Sequence, residues 1–255
     1  MISKKEVKDK LNIMYPNPVC ELNFNKDYEL LIATVLSAHS TDKIVNRVTK
    51  ELFKKDIYSL AKTPLKEIEV IIKSVGSYTR KAFYVSEIAN SLIKNYNGKV
   101  PNDREYLESL PGVGRKTCNV VLANLYNEPT MAVDTHVSRV SVRLGLAKEN
   151  DTLKEIENKL MKTFSKDYWN RINDQMVLFG RYTCKSIKPN CEECLFNDKC
   201  KFKRIWKIFF FFHIKRIVIS HYSKALVLQV VEDQVDQVDP VFLQFLFLNH
   251  YSYWL

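Results

Sequence analysis

Three groups of residues in this 255-residue chain have types and spacings that can do chemistry. The first is Lys116, which follows the tight run Pro111-Gly112-Val113-Gly114 and falls in the first turn of an expected helix. A helix start carries unpaired N–H donors and the positive end of the dipole, an awkward place for an ammonium. If the site is also desolvated, the lysine loses its proton more easily. A neutral amine is a nucleophile that can form a Schiff base. Taken alone, Lys116 reads as readily as a solvated surface lysine or a phosphate contact. The second group is Asp134, eighteen residues on, just ahead of a helix bearing Val137, Val140 and Leu144. It is a natural N-cap, and capping amides keep a carboxylate ionised. Such a carboxylate suits a developing cation, although a purely structural cap fits equally. Neighbouring His136 is given no chemistry.

The third group is Cys184, Cys191, Cys194 and Cys200, spaced C-x6-C-x2-C-x5-C. Four thiols within 17 residues of a cytosolic chain point to a metal rather than to disulfides. Both Zn²⁺ and an iron–sulfur cluster accept four thiolates, and the spacing alone leaves the two open. Lys185, Lys188, Lys199, Lys201, Lys203 and Arg204 crowd this segment. They could contact phosphates or balance the thiolates. Cys20 and Cys118 read as ordinary small residues, with Cys118 on the apolar face of a helix.

These groups need helices to position them. Residues 103–126, DREYLESLPGVGRKTCNVVLANLY, read as helix, tight turn, helix. Asn102 or Asp103 caps the first helix, and Cys118, Val121, Leu122 and Leu125 form the buried stripe of the second. Gly112, Val113 and Gly114 let backbone N–H groups approach an anion, a phosphate grip that reads no sequence. Helical periodicity recurs elsewhere. It appears at Tyr28, Leu31, Ile32, Val35 and Leu36. It appears again at Ile44, Val45, Val48 and Leu52 behind a Ser40 or Thr41 cap. A third stretch has Ile68, Ile71, Ile72 and Val75, with Gly76 as its stop. Residues 81–98 end at Gly98 in the same way, and Leu153, Ile156, Leu160 and Phe164 complete the set. Proline-marked connections fall at 15–18, 100–103, 127–130 and 188–190. No alternating strand pattern occurs before residue 205, so the fold class is expected to be all-α.

The chain is 46% hydrophobic and 27% charged with only 6 Gly and 8 Pro, which excludes a fibrous or disordered class. The net charge is +10. Residues 205–255 hold Lys207, Lys215, Arg216 and Lys224 against Glu232, Asp233, Asp236 and Asp239. They are neutral, so the whole positive charge lies on residues 1–204. A basic body of this kind suggests a polyanionic partner. No signal peptide or membrane span is expected, which makes a cytoplasmic location the default. Beyond Arg204 the chain turns aromatic and aliphatic without a lasting helix period. It is expected to be an atypical tail, non-native or disordered, for example the product of a shifted reading frame.

LPGVGRKT, AVDTHV and the four-cysteine loop, in that order and spacing, resemble the endonuclease III family of helix-hairpin-helix DNA glycosylases with AP-lyase activity. The resemblance runs from ELNF at 21 to Cys200 and takes in ELLIATVLSA, STD and GRYTC. It implies a two-domain, all-α fold with the active site in the cleft between domains. Residues 18–128 would form a six-helix domain with the hairpin. Residues 1–17 plus 129–204 would form a domain holding a [4Fe-4S] cluster on Cys184, Cys191, Cys194 and Cys200. The implied substrate is double-stranded DNA with an oxidised pyrimidine or an abasic site. The implied roles are Lys116 as nucleophile and Asp134 as its helper, cutting 3′ to the lesion by β-elimination. The protein would act as a monomer, associated with the nucleoid and not with a membrane. Lys116 separates this pattern from adenine-specific mismatch glycosylases, which lack it. His39 and Ser77 stand where the family often has Gln and Leu to fill the hole left by the flipped base. Alternatives are a monofunctional glycosylase, or a DNA-binding Fe–S or Zn module without catalysis.

Overall fold

The computed structural model describes residues 2–200 and Phe202; the tail reading, Lys201, Lys203 and Arg204 lie outside the described residues. The described residues contain helices and no strand. In chain order these are α1 (Lys4–Met14), α2 (Asp27–Ser37), α3 (Asp42–Leu52), α4 (Ile57–Lys62), α5 (Leu65–Ile71) and α6 (Tyr78–Tyr96). They continue with α7 (Arg104–Ser109), α8 (Arg115–Tyr126), α9 (Thr135–Arg143), α10 (Leu153–Thr163) and α11 (Trp169–Tyr182). The expected all-α class is what the chain adopts. The proline-marked connections at 15–18, 100–103 and 127–130 fall between helices, and the one at 188–190 follows α11. Helices α1, α4 and α11 were not singled out by periodicity.

Two apolar cores form. The first gathers buried residues between Leu22 and Leu122. Its centre is α2, in which every residue from Tyr28 to Leu36 is buried. A helix apolar all round must be enclosed, and α3, α6 and α8 pack against it. The second core joins Val7 and Leu11 of α1 to residues from Met131 to Phe196. Here α11 packs on α1 and α9, and its Phe179 meets the Phe196 ring edge-on at 5.5 Å. Arg115 ties the two cores together. Its guanidinium makes bonds of 2.6 to 3.2 Å to the buried carboxylate of Glu157 on α10.

The local signals behave as their chemistry requires, with two corrections, at Leu153 and Gly76. Thr41, not Ser40, caps α3, and Asp103 caps α7 through Tyr106 N. Leu153 is 56% exposed rather than inward, because the first turn of α10 overhangs its core. Gly76 does not stop α5, which ends at Ile71. Its role is close approach: a Cβ there would meet His39 O at 3.0 Å. At the end of α6, by contrast, Asn97 and Gly98 both take left-handed φ, so the expected stop at Gly98 is observed.

Candidate active site

The hairpin sets the position of Lys116. Gly112 has φ +78°, and a Cβ there would lie 2.5 Å from the Tyr84 ring, so only glycine fits. Val113 is buried in the first core, and its N–H closes the turn on Leu110 O at 3.1 Å. Of the three hairpin residues, Val113 therefore anchors the turn, with its donor already engaged. Gly114 caps α8 and has open space where a Cβ would be. The donors free of the turn are the first amides of α8. Lys116 is exposed on that first turn, so the protein alone does not desolvate its ammonium.

Asp134 caps α9. Its Oδ1 accepts from His136 N and Val137 N, both at 2.8 Å. Because both bonds use Oδ1, the cap does not require Oδ2. The segment before it is locked by Asn119, whose Nδ2 donates to Met131 O at 2.9 Å. Thr130 Oγ1 donates back to Asn119 O. Thus α8 and the start of α9 are held in fixed relation by a buried amide.

Lys116 and Asp134 line one narrow cleft of about 70 Å³. The same cleft is lined by one face of α11, from Asn170 through Asn173, Asp174, Val177 and Leu178 to Arg181. Arg181 closes the end of that face with ion pairs of 2.5 Å to Glu21 and to Asp42. Burial pushes the Asp174 carboxyl up to about 6, against a smaller downward pull from the Asn173 side chain. None of these α11 residues was picked out from sequence. The available signal was a polar stripe at i, i+3, i+4 and i+11 interleaved with inward Ile172, Met176 and Phe179.

His39 and Ser77 are exposed, and both are left-handed, at φ 55° and 57°. The structure brings their loops together. Ser40 Oγ accepts from Gly76 N at 3.0 Å. Lys81, buried on α6, donates to Leu36 O at 2.9 Å and to Ala38 O. Its ammonium thereby meets carbonyls at the negative end of α2 and fixes the loop that carries His39.

The four cysteines share one region. Cys184, Cys194 and Cys200 pack on the second core. Burial pushes the Cys194 thiol up to about 11, and the other three cysteines add to the shift. Arg143 of α9 donates to Cys184 Sγ at 3.4 Å and to Lys185 O at 2.7 Å. Among the described residues, no three His, Cys, Asp or Glu side chains stand close enough together, as placed, to hold a metal ion.

Comparison with known proteins decides the family. The profile of the HhH-GPD superfamily base excision DNA repair protein matches residues 32–166. Endonuclease III of Bacillus subtilis strain 168 is 42% identical over 209 residues, covering 79% of this chain and 94% of its own. The Escherichia coli K12 enzyme is 40% identical over 205 residues, covering 78% and 94%. The chain belongs to the endonuclease III family. It is a base-excision-repair DNA glycosylase with AP-lyase activity. Its fold matches a trapped endonuclease III–DNA covalent intermediate, the estranged-adenine complex, with a TM-score of 0.77 and 42% identity. That match covers 81% of this chain and all of the other. A non-covalent endonuclease III–DNA complex matches equally well, at a TM-score of 0.77. Among the described residues no helix is long and apolar enough to cross a membrane.

Proposed function

We propose that this endonuclease III family member removes oxidised or ring-saturated pyrimidines from duplex DNA, with Lys116 as nucleophile and Asp134 as its electrostatic partner. The observation that carries the reading is that both side chains line one cleft. The damaged base must leave the stack to reach it. Lys116 Nζ then forms a bond to sugar C1′ while the C1′–N bond breaks, and the electron pair leaves with the base. The Asp134 carboxylate, fixed in place by two backbone amides, stabilises the positive charge at the sugar. Ring opening yields a Schiff base, which acidifies the C2′ proton. Loss of that proton expels the 3′ phosphate and cuts the strand 3′ to the lesion.

Positioning on the duplex falls to Gly114 and the first amides of α8, with Gly112 and Val113 shaping the turn. These contacts fix register and carry no sequence information. His39 and Ser77 enter the space vacated by the flipped base. The proposed domains are 18–128 and 1–17 plus 129–204, a division that the two separate cores support. The protein works as a monomer on nucleoid DNA.

Cys184, Cys191, Cys194 and Cys200 would hold a [4Fe-4S] cluster. The donor set fits in its chemistry: four thiols act on one another in one place, beside the Arg143 guanidinium. When bound, the cluster supplies cross-linking of the loop and no step of base removal. Arg143 and Arg139, which donate to carbonyls of this loop, bind it to α9 and so to Asp134. Metal analysis checks this set: iron and sulfide in equal amounts support it, and zinc alone refutes it.

Borohydride trapping on an abasic duplex tests the central reading. A covalent protein–DNA adduct that disappears in Lys116→Gln is the expected result. Strand cutting without any adduct would overturn the role of Lys116.

A further inference from the structure

Arg115 opens α8 one residue before Lys116, at the hairpin, where a cation is expected to meet phosphate. Its guanidinium is committed within the protein instead. Nε donates to Glu157 Oε2 at 2.8 Å and to Oε1 at 3.2 Å, and Nη2 donates to Oε1 at 2.6 Å. That edge, which would fork a phosphate, is taken up by a carboxylate side chain only 7% exposed. Lys154 Nζ, 4.0 Å from Oε2, is a looser second partner of Glu157. One turn along, Asn119 stands on the same face of α8 as Arg115 and donates to Met131 O at 2.9 Å. The helix itself is seated in the first core through Cys118, Val121 and Leu122. Met131 belongs to the second core, as do Ile156 beside Glu157 and Val137 and Val140 of the helix that Asp134 caps. The backbone of Lys116 is thus held between two ties that both lead to the core carrying Asp134.

We propose that Arg115 is a positioning residue for the reaction, and that its fork to Glu157 fixes the turn bearing Lys116 relative to Asp134 rather than gripping DNA. This rests on the roles of Lys116 and Asp134 proposed above. The two side chains stand on helices seated in different cores, so neither core by itself sets their separation. Lys116 is exposed and its stem is flexible, so alignment falls to the backbone beneath it. A two-point bond to a buried carboxylate resists rotation of that turn, which a single ammonium contact does not. Misplacing a reacting group by about 1 Å costs about a hundredfold in rate, so a brace of modest worth to stability has a large reach in kcat.

The experiment measures strand cutting and borohydride trapping at a preformed abasic site, in single turnover with saturating duplex. Binding of an uncleavable tetrahydrofuran duplex is followed alongside over a salt series. Arg115→Met and Glu157→Gln should each slow cutting and trapping about tenfold or more, with affinity within about twofold of the parent and the same salt slope. The double variant should be no slower than Arg115→Met, since one bond is removed either way. Arg115→Lys keeps the charge without the fork and should fall between the parent and Arg115→Met. Together with Glu157→Gln it decides the matter if the methionine variant folds poorly. Weaker binding with a salt slope reduced by about one makes Arg115 a phosphate contact and overturns the proposal. Parent-like cutting in Arg115→Met and Glu157→Gln, with only a lowered melting temperature, overturns it too, as do losses that add in the double variant. A parent that forms no adduct fails the functional reading instead.

Discussion

On one side of the cleft, Lys116 and Asp134 stand at the starts of α8 and α9, Lys116 exposed and Asp134 partly buried, fixed by glycine and by capping amides. On the α11 side, Asn173 and Asp174 stand mid-helix, Asn173 buried with its Oδ1 unpartnered and Asp174 partly buried with its carboxyl raised to about 6. The first wall is built from local backbone devices that cost little stability. The second holds polar groups out of water, which opposes folding. The contrast suggests a division of labour. Under the function proposed above, the open side does chemistry on the sugar, which any abasic site supplies, and the α11 side shapes the space beside it.

The sharpest way to break this division is Lys116→Gln. It should lower strand cutting by at least about a thousandfold and abolish borohydride trapping, while thermal stability stays near the parent's. A comparable loss from a variant on the α11 wall would undo the contrast. Next comes Asp134→Asn. Asparagine caps a helix as well as aspartate does, so melting should move by less than about 0.5 kcal/mol. Loss of the charge should slow base release about a hundredfold in single-turnover kinetics. A large stability loss with normal chemistry would mean that Asp134 is only a cap.

Asp174→Asn probes the cost of the enclosed wall. Its carboxyl is raised from 3.8 to about 6, so the folded state holds the proton more tightly than the unfolded chain does. Stability from this group is full below about pH 4 and is lost as the pH rises through about 6. Cys20, Asp42, Lys116, Asp134 and Arg181 face the same cleft, and the variant leaves them in place. Asp174→Asn should therefore melt with the parent at about pH 4 and be more stable by about 2 kcal/mol at about pH 7.5. Equal melting at both values would mean that the wall carries no strain. The smallest effects belong to the rim. Ser77→Gly should gain up to about 1 kcal/mol by relieving its left-handed φ, read by chemical denaturation. Ser77→Leu should raise base release on intact duplexes a few-fold, and no change would count against a wedge at this position.

The same difference governs how much was legible in advance. Lys116, Asp134 and the cysteine loop announce themselves because hairpins, caps and metal loops are local, written within a few residues. Asp103 and Thr41 cap where their side chains can reach. Gly76 misled for the opposite reason. Its glycine requirement comes from His39, far away in sequence, and not from the end of its own helix. Val113 looked like part of an anion grip, yet its side chain belongs to the core.

By itself the sequence determined the all-α class, the hairpin, the two catalytic candidates and the four-cysteine set, since helical period and turn chemistry act over short range. Only the tertiary structure decided that Lys116 and Asp134 share a cleft. It alone revealed that α11 lines the same cleft and that Lys81 and Ser40 bind the His39 and Ser77 loops together. Those relations depend on which helix faces pack, and packing is settled by long-range burial that no local pattern records.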